Sequence, residues 1–142
     1  MKLGRLRGVL MPLHLVLAFG FAFAVGASAP GVAPDELIVR ATSWGELRSV
    51  HKEFVGRLDG VVAGAFTDKV AELFAERWTS LNEFAKLSRI DPTFGRDAMK
   101  AINEAVTQDR AVAIRANASR HCPPGHLGLC RQLIAALGTA SK

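Results

Sequence analysis

The chain has 142 residues, of which 49% are hydrophobic and 22% are charged. This length favours a single domain, and this composition excludes a wholly disordered protein. The formal net charge is +5, but three of the 18 basic residues and none of the acidic ones lie in the first thirty positions. The rest of the chain is nearly balanced in charge, which argues against a nucleic-acid-binding protein.

The first 27 residues have the pattern of a secretory signal peptide. A short basic start precedes an apolar run from Val9 to Val25, and small residues follow it. This order is typical of a leader that is removed during export. We expect cleavage after Ala27, which makes the mature protein periplasmic or secreted. The alternative is an uncleaved membrane anchor formed by residues 9–27, because about 17–25 apolar residues can span a bilayer.

Residues 28–42 are predicted to be a linker and lead-in to a helical domain at 43–142. The linker begins with small residues, two prolines and a glycine, without periodicity. Leu37, Ile38 and Val39 then form a short apolar run for which the sequence offers no partner strand. We therefore expect an extended or helical segment that packs on the core.

Two helices follow with clear start and stop signals. Ser43 and Glu46 predict the start of the first, because serine can cap the first turn and the glutamate can reach back. That helix is expected to end near Leu58, before a connector or helical turn of small apolar residues at 60–66. The second helix, at 67–90, has the longest apolar stripe and should be central to the core.

The remaining chain is predicted to contain two or three helices. Asp91 and Pro92 end one helix and begin the next. No Gly or Pro lies between Gly95 and Pro123, so this stretch is one long helix or two helices that separate at residues 106–107. A last helix at 127–137 has an apolar face. We therefore predict an all-α protein, a small bundle of four or five short helices.

The only two cysteines, Cys122 and Cys130, flank a Pro-Pro-Gly turn. In an exported chain, such a pair predicts a disulfide. The turn lets the chain reverse, so we expect one C-terminal intrachain bridge that holds the last helix on the bundle. The alternative is a zinc or copper(I) site made of His121, Cys122, His126 and Cys130. The spacing of these four residues matches no zinc motif, and export exposes thiols to oxidation.

Other conspicuous residues have ordinary structural interpretations. His51 falls at helical spacing on an apolar face, which predicts a core or boundary histidine rather than a ligand. Trp44 and Trp78 lie on apolar stripes and are expected in the core, with partner anchoring as the alternative. The sequon at 117–119 is common by chance and has a helical setting that disfavours glycosylation.

Basic residues recur in the last third of the chain and favour a solvated face, with an anionic partner as the alternative. Lipid headgroups and acidic protein surfaces are the partners of that kind that an exported protein would meet. The residues are Arg96, Lys100, Arg110, Arg115, Arg120 and Arg131.

The sequence contains no recognisable catalytic motif. It has no phosphate loop, nucleophile elbow, His-Glu-x-x-His or haem-attachment pattern. We therefore predict no catalytic residue, no cofactor and no metal ligand, and a protein that is not an enzyme.

The favoured function is binding to a protein partner in the cell envelope. The classes that fit are an assembly factor, a chaperone-like binder, and an inhibitor or immunity protein. We expect no nucleic-acid partner, and membrane contact only through an uncleaved leader. A metal-binding protein that uses residues 121–130 and an enzyme of unrecognised type are the alternatives, since a fold alone excludes neither.

Overall fold

The computed structural model describes residues 31–104 and 106–139, and the predicted leader lies outside these ranges. Within them the chain is helical and forms no strand, which confirms the all-α prediction. In chain order the helices are α1 (Pro34–Arg40), α2 (Trp44–Phe54), α3 (Gly60–Glu76), α4 (Leu81–Ile90), α5 (Pro92–Glu104), α6 (Gln108–Arg120) and α7 (Leu127–Thr139). Short 3₁₀ turns follow α2 at Val55–Arg57 and precede α4 at Trp78–Ser80.

Seven described helices replace the predicted four or five, and the first addition is α1. Pro34 occupies its first turn, where the fixed φ of proline favours a helix and no N–H bond is lost. Ile38 is fully buried, and α1 packs against α2 and α3. Part of the predicted lead-in is therefore helical and contributes to the core.

The second addition arises because the predicted helix at 67–90 is two helices. Helix α3 begins earlier, so that residues 60–66 are its first turns, and it ends where Arg77 leaves helical geometry. The indole Nε1 of Trp78 donates to the carbonyl oxygen of His121 at 2.8 Å. The hydroxyl of Ser80 donates to the carbonyl oxygen of Arg77 at 2.6 Å. These side-chain bonds hold a turn that the apolar periodicity does not reveal.

The core is centred on Trp44, whose side chain is fully buried. Its ring centroid lies 4.6 Å from Phe74, 4.6 Å from Phe84 and 6.4 Å from Phe94. Its indole Nε1 donates to the hydroxyl of Ser80 at 3.0 Å. One residue of α2 therefore contacts α3, α4 and α5, and the predicted core role of Trp44 is confirmed.

The start of α2 has the predicted cap with one difference. The hydroxyl of Ser43 accepts the backbone N–H of Glu46 at 3.2 Å. The Glu46 carboxylate reaches back one residue further than expected, to the N–H of Thr42 at 2.7 Å and to its hydroxyl at 3.0 Å. The bond from the Thr42 N–H is the largest cause of a lowered pKa at Glu46, and the bond from the Thr42 hydroxyl lowers it further.

The start of α5 is capped by Asp91. Its Oδ1 accepts the N–H of Phe94 at 3.1 Å, and its Oδ2 accepts the Arg48 guanidinium at 3.1 Å. The hydrogen bond from the Phe94 N–H is the largest cause of a lowered pKa at Asp91, and the positive charge of Arg48 lowers it further. One turn on, α5 passes close to α4 at Gly95, where a Cβ would lie 2.7 Å from the Cβ of Ser88. The cap and this glycine together set the path of α5.

Helices α6 and α7 complete the described fold. Helix α6 begins after Thr107, so that of the two predicted alternatives the structure has two separate helices, not one long helix. Among its side chains only Ile114 and Ala118 are buried, and the amide of Asn117 donates to the carbonyl oxygen of Ala75 at 3.1 Å. The sequon asparagine is thus tied to α3. None of the described helices has the length and apolar character needed to span a membrane.

Candidate functional site

The Cys122–Cys130 pair forms an intrachain disulfide, as the sequence predicts, with 6.2 Å between the two Cα atoms. Cys130 is 2% exposed and shares the inward face of α7 with Leu133 and Leu137. The bridge therefore ties the first turn of α7 to the segment that follows α6. Because disulfides persist in oxidising environments, it indicates a non-cytoplasmic location.

The disulfide removes the thiolates on which the alternative metal site depends. Both cysteines are bonded to each other, and the chain has no further cysteine. Across residues 31–104 and 106–139, no group of three or more His, Cys, Asp or Glu side chains is placed to hold a metal ion. His121 instead supplies its backbone carbonyl oxygen to Trp78. The loop at 121–130 is a structural clamp in this structure.

A groove of about 410 Å³ lies along the outward side of α6, beside the end of α7. Small side chains, Ala111 and Ala116, lie at its lining together with Leu137 of α7. Val112 also lines it and is 57% exposed. The remaining lining residues are polar or basic: Gln108, Arg115, Ser119 and Arg120.

The groove belongs to the basic part of the chain. Residues 105–142 contain five Lys or Arg and one acidic residue, whereas residues 31–104 contain ten basic and twelve acidic residues. Arg110 contacts Asp68 on α3, with 3.7 Å between its guanidinium and the carboxylate. Arg115 and Arg120 form no ion pair within the described part of the chain. The near balance of charge over residues 31–142 as a whole hides this asymmetry, which a count by segment reveals.

His51 is a buried histidine, as expected, but it has a partner that the sequence analysis missed. Its side chain is 1% exposed, and its Nε2 lies 2.9 Å from Oδ2 of Asp97. The rings of Phe66 and Phe94 lie 5.3 Å and 5.4 Å from its centroid. Because an ionised carboxylate only accepts hydrogen bonds, Nε2 is the donor. The other ring nitrogen, Nδ1, is buried and has no hydrogen-bond partner among the described residues.

Asp97 also borders a second cleft, of about 220 Å³, between the end of α2, α3 and α5. Apolar walls come from Val55, Leu58 and Phe66, and Thr67 adds a hydroxyl.

The sequence did offer one signal for the contact between His51 and Asp97. Asp97 lies at helical spacing with Phe94 and Ala101, on an apolar stripe. An acidic residue within an apolar stripe indicates a buried polar partner, although the sequence does not identify which one.

No family model matches this chain, and neither the curated proteins nor the solved structures include one that is similar to it.

Proposed function

We propose that this protein is exported and binds an acidic surface of a protein partner in the cell envelope. The observation that carries the proposal is the groove of about 410 Å³ beside α6, with its exposed valine and two arginines. An assembly factor, a chaperone-like binder and an inhibitor or immunity protein are the classes that use such a surface. The leader pattern and the disulfide support export.

The lining of the groove suits a protein partner. Ala111 and Ala116 let another backbone approach α6 closely, and Val112 offers an apolar contact at the groove. An amphipathic helix that lies in a groove uses contacts of this kind. A lipid headgroup would need the arginines but would gain little from the small apolar residues.

The charge of the groove favours an acidic partner. Arg115 and Arg120 line it, and the guanidinium group can bind a carboxylate through two parallel hydrogen bonds. The excess of basic residues over 105–142 would also accelerate association with an acidic surface, and this effect weakens with added salt.

Site-specific cross-linking tests this function. A photoreactive amino acid at position 112 should cross-link one protein partner in intact cells, and the same amino acid at Val39, which is 61% exposed on α1, should not. The double change Arg115→Glu and Arg120→Glu should abolish the adduct, whereas Arg89→Glu on α4 should leave it intact. An adduct with lipid alone, or a protein adduct that survives the double change, would contradict the proposal.

A further inference from the structure

The second cleft presents one carboxylate among apolar side chains. Asp97 lies on α5 at the border of the cleft, and Val55, Leu58 and Phe66 form apolar walls. The volume of about 220 Å³ is below the 300–1,000 Å³ that is common for pockets of drug-sized ligands. An occupant would therefore be a small molecule, and Val55 and Leu58 would contact its apolar part.

Asp97 is held in one orientation by His51. Its Oδ2 accepts the Nε2 proton at 2.9 Å, and the imidazole is fixed between Phe66 and Phe94. Its Oδ1 makes no hydrogen bond or ion pair with any described residue. The side chain is 28% exposed, so this oxygen has a route to a ligand.

The cost of burying His51 supports a role for the pair beyond filling space. Its Nδ1 is buried and has no partner in the part of the chain that the structure describes, which destabilises the folded state, and an apolar side chain would avoid this loss. What the histidine supplies in return is a donor that holds the Asp97 carboxylate in one orientation. The arrangement thus maintains a carboxylate at the border of an apolar cleft.

We propose that this cleft binds a small primary alkylammonium ion. The ammonium group would donate a charge-assisted hydrogen bond to Oδ1 of Asp97. The alkyl chain would contact Val55 and Leu58, and the ring of Phe66 would lie close to the positive charge, which aromatic faces attract. Lys100 also lines the cleft, and its positive charge opposes a cationic ligand.

The test is titration of the full mature protein with 3-methylbutylammonium chloride, followed by amide chemical shifts. Signals from residues 55–67 and 97–101 should shift and saturate. The uncharged 3-methylbutan-1-ol has the same carbon skeleton and should produce no saturable shift. Equal binding of amine and alcohol, or no saturation by the amine, would overturn the proposal without any variant being needed.

Two variants test the roles of the charges. Asp97→Asn keeps an acceptor for His51 but loses the negative charge, so the affinity for the amine should fall about tenfold or more. Asp109→Asn on α6 is the matched control and should leave the affinity unchanged. Unchanged affinity in Asp97→Asn, or reduced affinity in Asp109→Asn, would contradict an alkylammonium site.

Discussion

Helices α2 to α5 meet around a cluster of aromatic rings, whereas α6 and α7 bury small or aliphatic side chains, and a disulfide ties α7 to the segment that follows α6. Trp44, Phe74, Phe84 and Phe94 are all at most 1% exposed. Helix α6 buries only Ile114 and Ala118. Since apolar stabilisation scales with the area removed from water, α6 gains much less from burial than α2 does.

Hydrogen bonds add to apolar packing in attaching the α6–α7 hairpin to the rest of the fold, since Ile114, Leu133 and Leu137 are at most 2% exposed. The indole of Trp78 donates to the carbonyl oxygen of His121, and the amide of Asn117 donates to that of Ala75. Such bonds contribute about 0.5–1.5 kcal/mol each. The comparison shows two ways of ordering a helix: burial of large rings, and burial of smaller side chains supported by local covalent closure and polar contacts.

The largest expected effect comes from the aromatic cluster. Trp44→Ala should lower the free energy of unfolding by about 3–5 kcal/mol, because it leaves a large cavity among three phenylalanines. Val112→Ala on the exposed side of α6 should change it by less than about 0.5 kcal/mol. Urea unfolding measures both. Similar losses of unfolding free energy in the two variants would show that the aromatic cluster does not stabilise the fold more than the exposed side of α6 does.

Reduction of the disulfide should have an intermediate effect that is confined at first to the hairpin. Closure of a loop of this length stabilises by about 2.5 kcal/mol in the chain-entropy model, and the cysteines are separated by 8 positions. Hydrogen exchange should accelerate in residues 123–138 while α3 stays protected.

The double variant Cys122→Ala and Cys130→Ala is the control for this experiment. Measured without reductant, its hydrogen exchange should match that of the reduced wild-type protein. The clamp would be contradicted by unchanged exchange at 123–138, or by a disulfide-linked dimer in non-reducing mass spectrometry.

The smallest expected effect concerns the cap of α5. Asp91→Ala should cost about 1 kcal/mol near neutral pH, since the Phe94 N–H loses its acceptor. The folded state lowers the pKa of Asp91, so the carboxylate stabilises above about pH 4, the unfolded value, and this contribution is lost as the pH falls through the folded pKa. The difference between wild type and variant should therefore shrink from pH 6 to pH 3.

Glu53→Ala, an exposed change on α2, is the control for the cap experiment and should stay within about 0.5 kcal/mol throughout this range. A difference at Asp91 that is constant with pH would rule out the carboxylate as its source.

Local signals in the sequence predicted much of the fold and little of the interactions between helices. The Ser43 cap, the separation before α6 and the disulfide each depend on residues close together in the chain. The turn after α3 was missed, because the bonds of Trp78 that hold it reach His121, 43 positions away. Contacts between helices left no such local signal: the Glu83 carboxylate on α4 accepts the N–H of Gly45 on α2 at 2.9 Å.

The candidate sites followed the same division. The two cysteines flank one turn and were paired correctly, whereas His51 and Asp97 are 46 positions apart and meet only when α2 packs on α5. The groove beside α6 depends on where α7 ends against it. Its basic character could be predicted from the run of arginines, but its shape could not, because no periodicity specifies the space between two helices.

The positions of the two tryptophans make the molecule its own optical reporter. The chain has no tyrosine, so its near-ultraviolet emission comes from Trp44 in the ring cluster and Trp78 beside the hairpin. Trp44 is fully enclosed, and the indole of Trp78 is held by a carbonyl of the segment that leads into the bridge. A chain that keeps only one of them, with phenylalanine at the other position, emits from a single region. Each region can then be followed by its own fluorescence, without a dye or label.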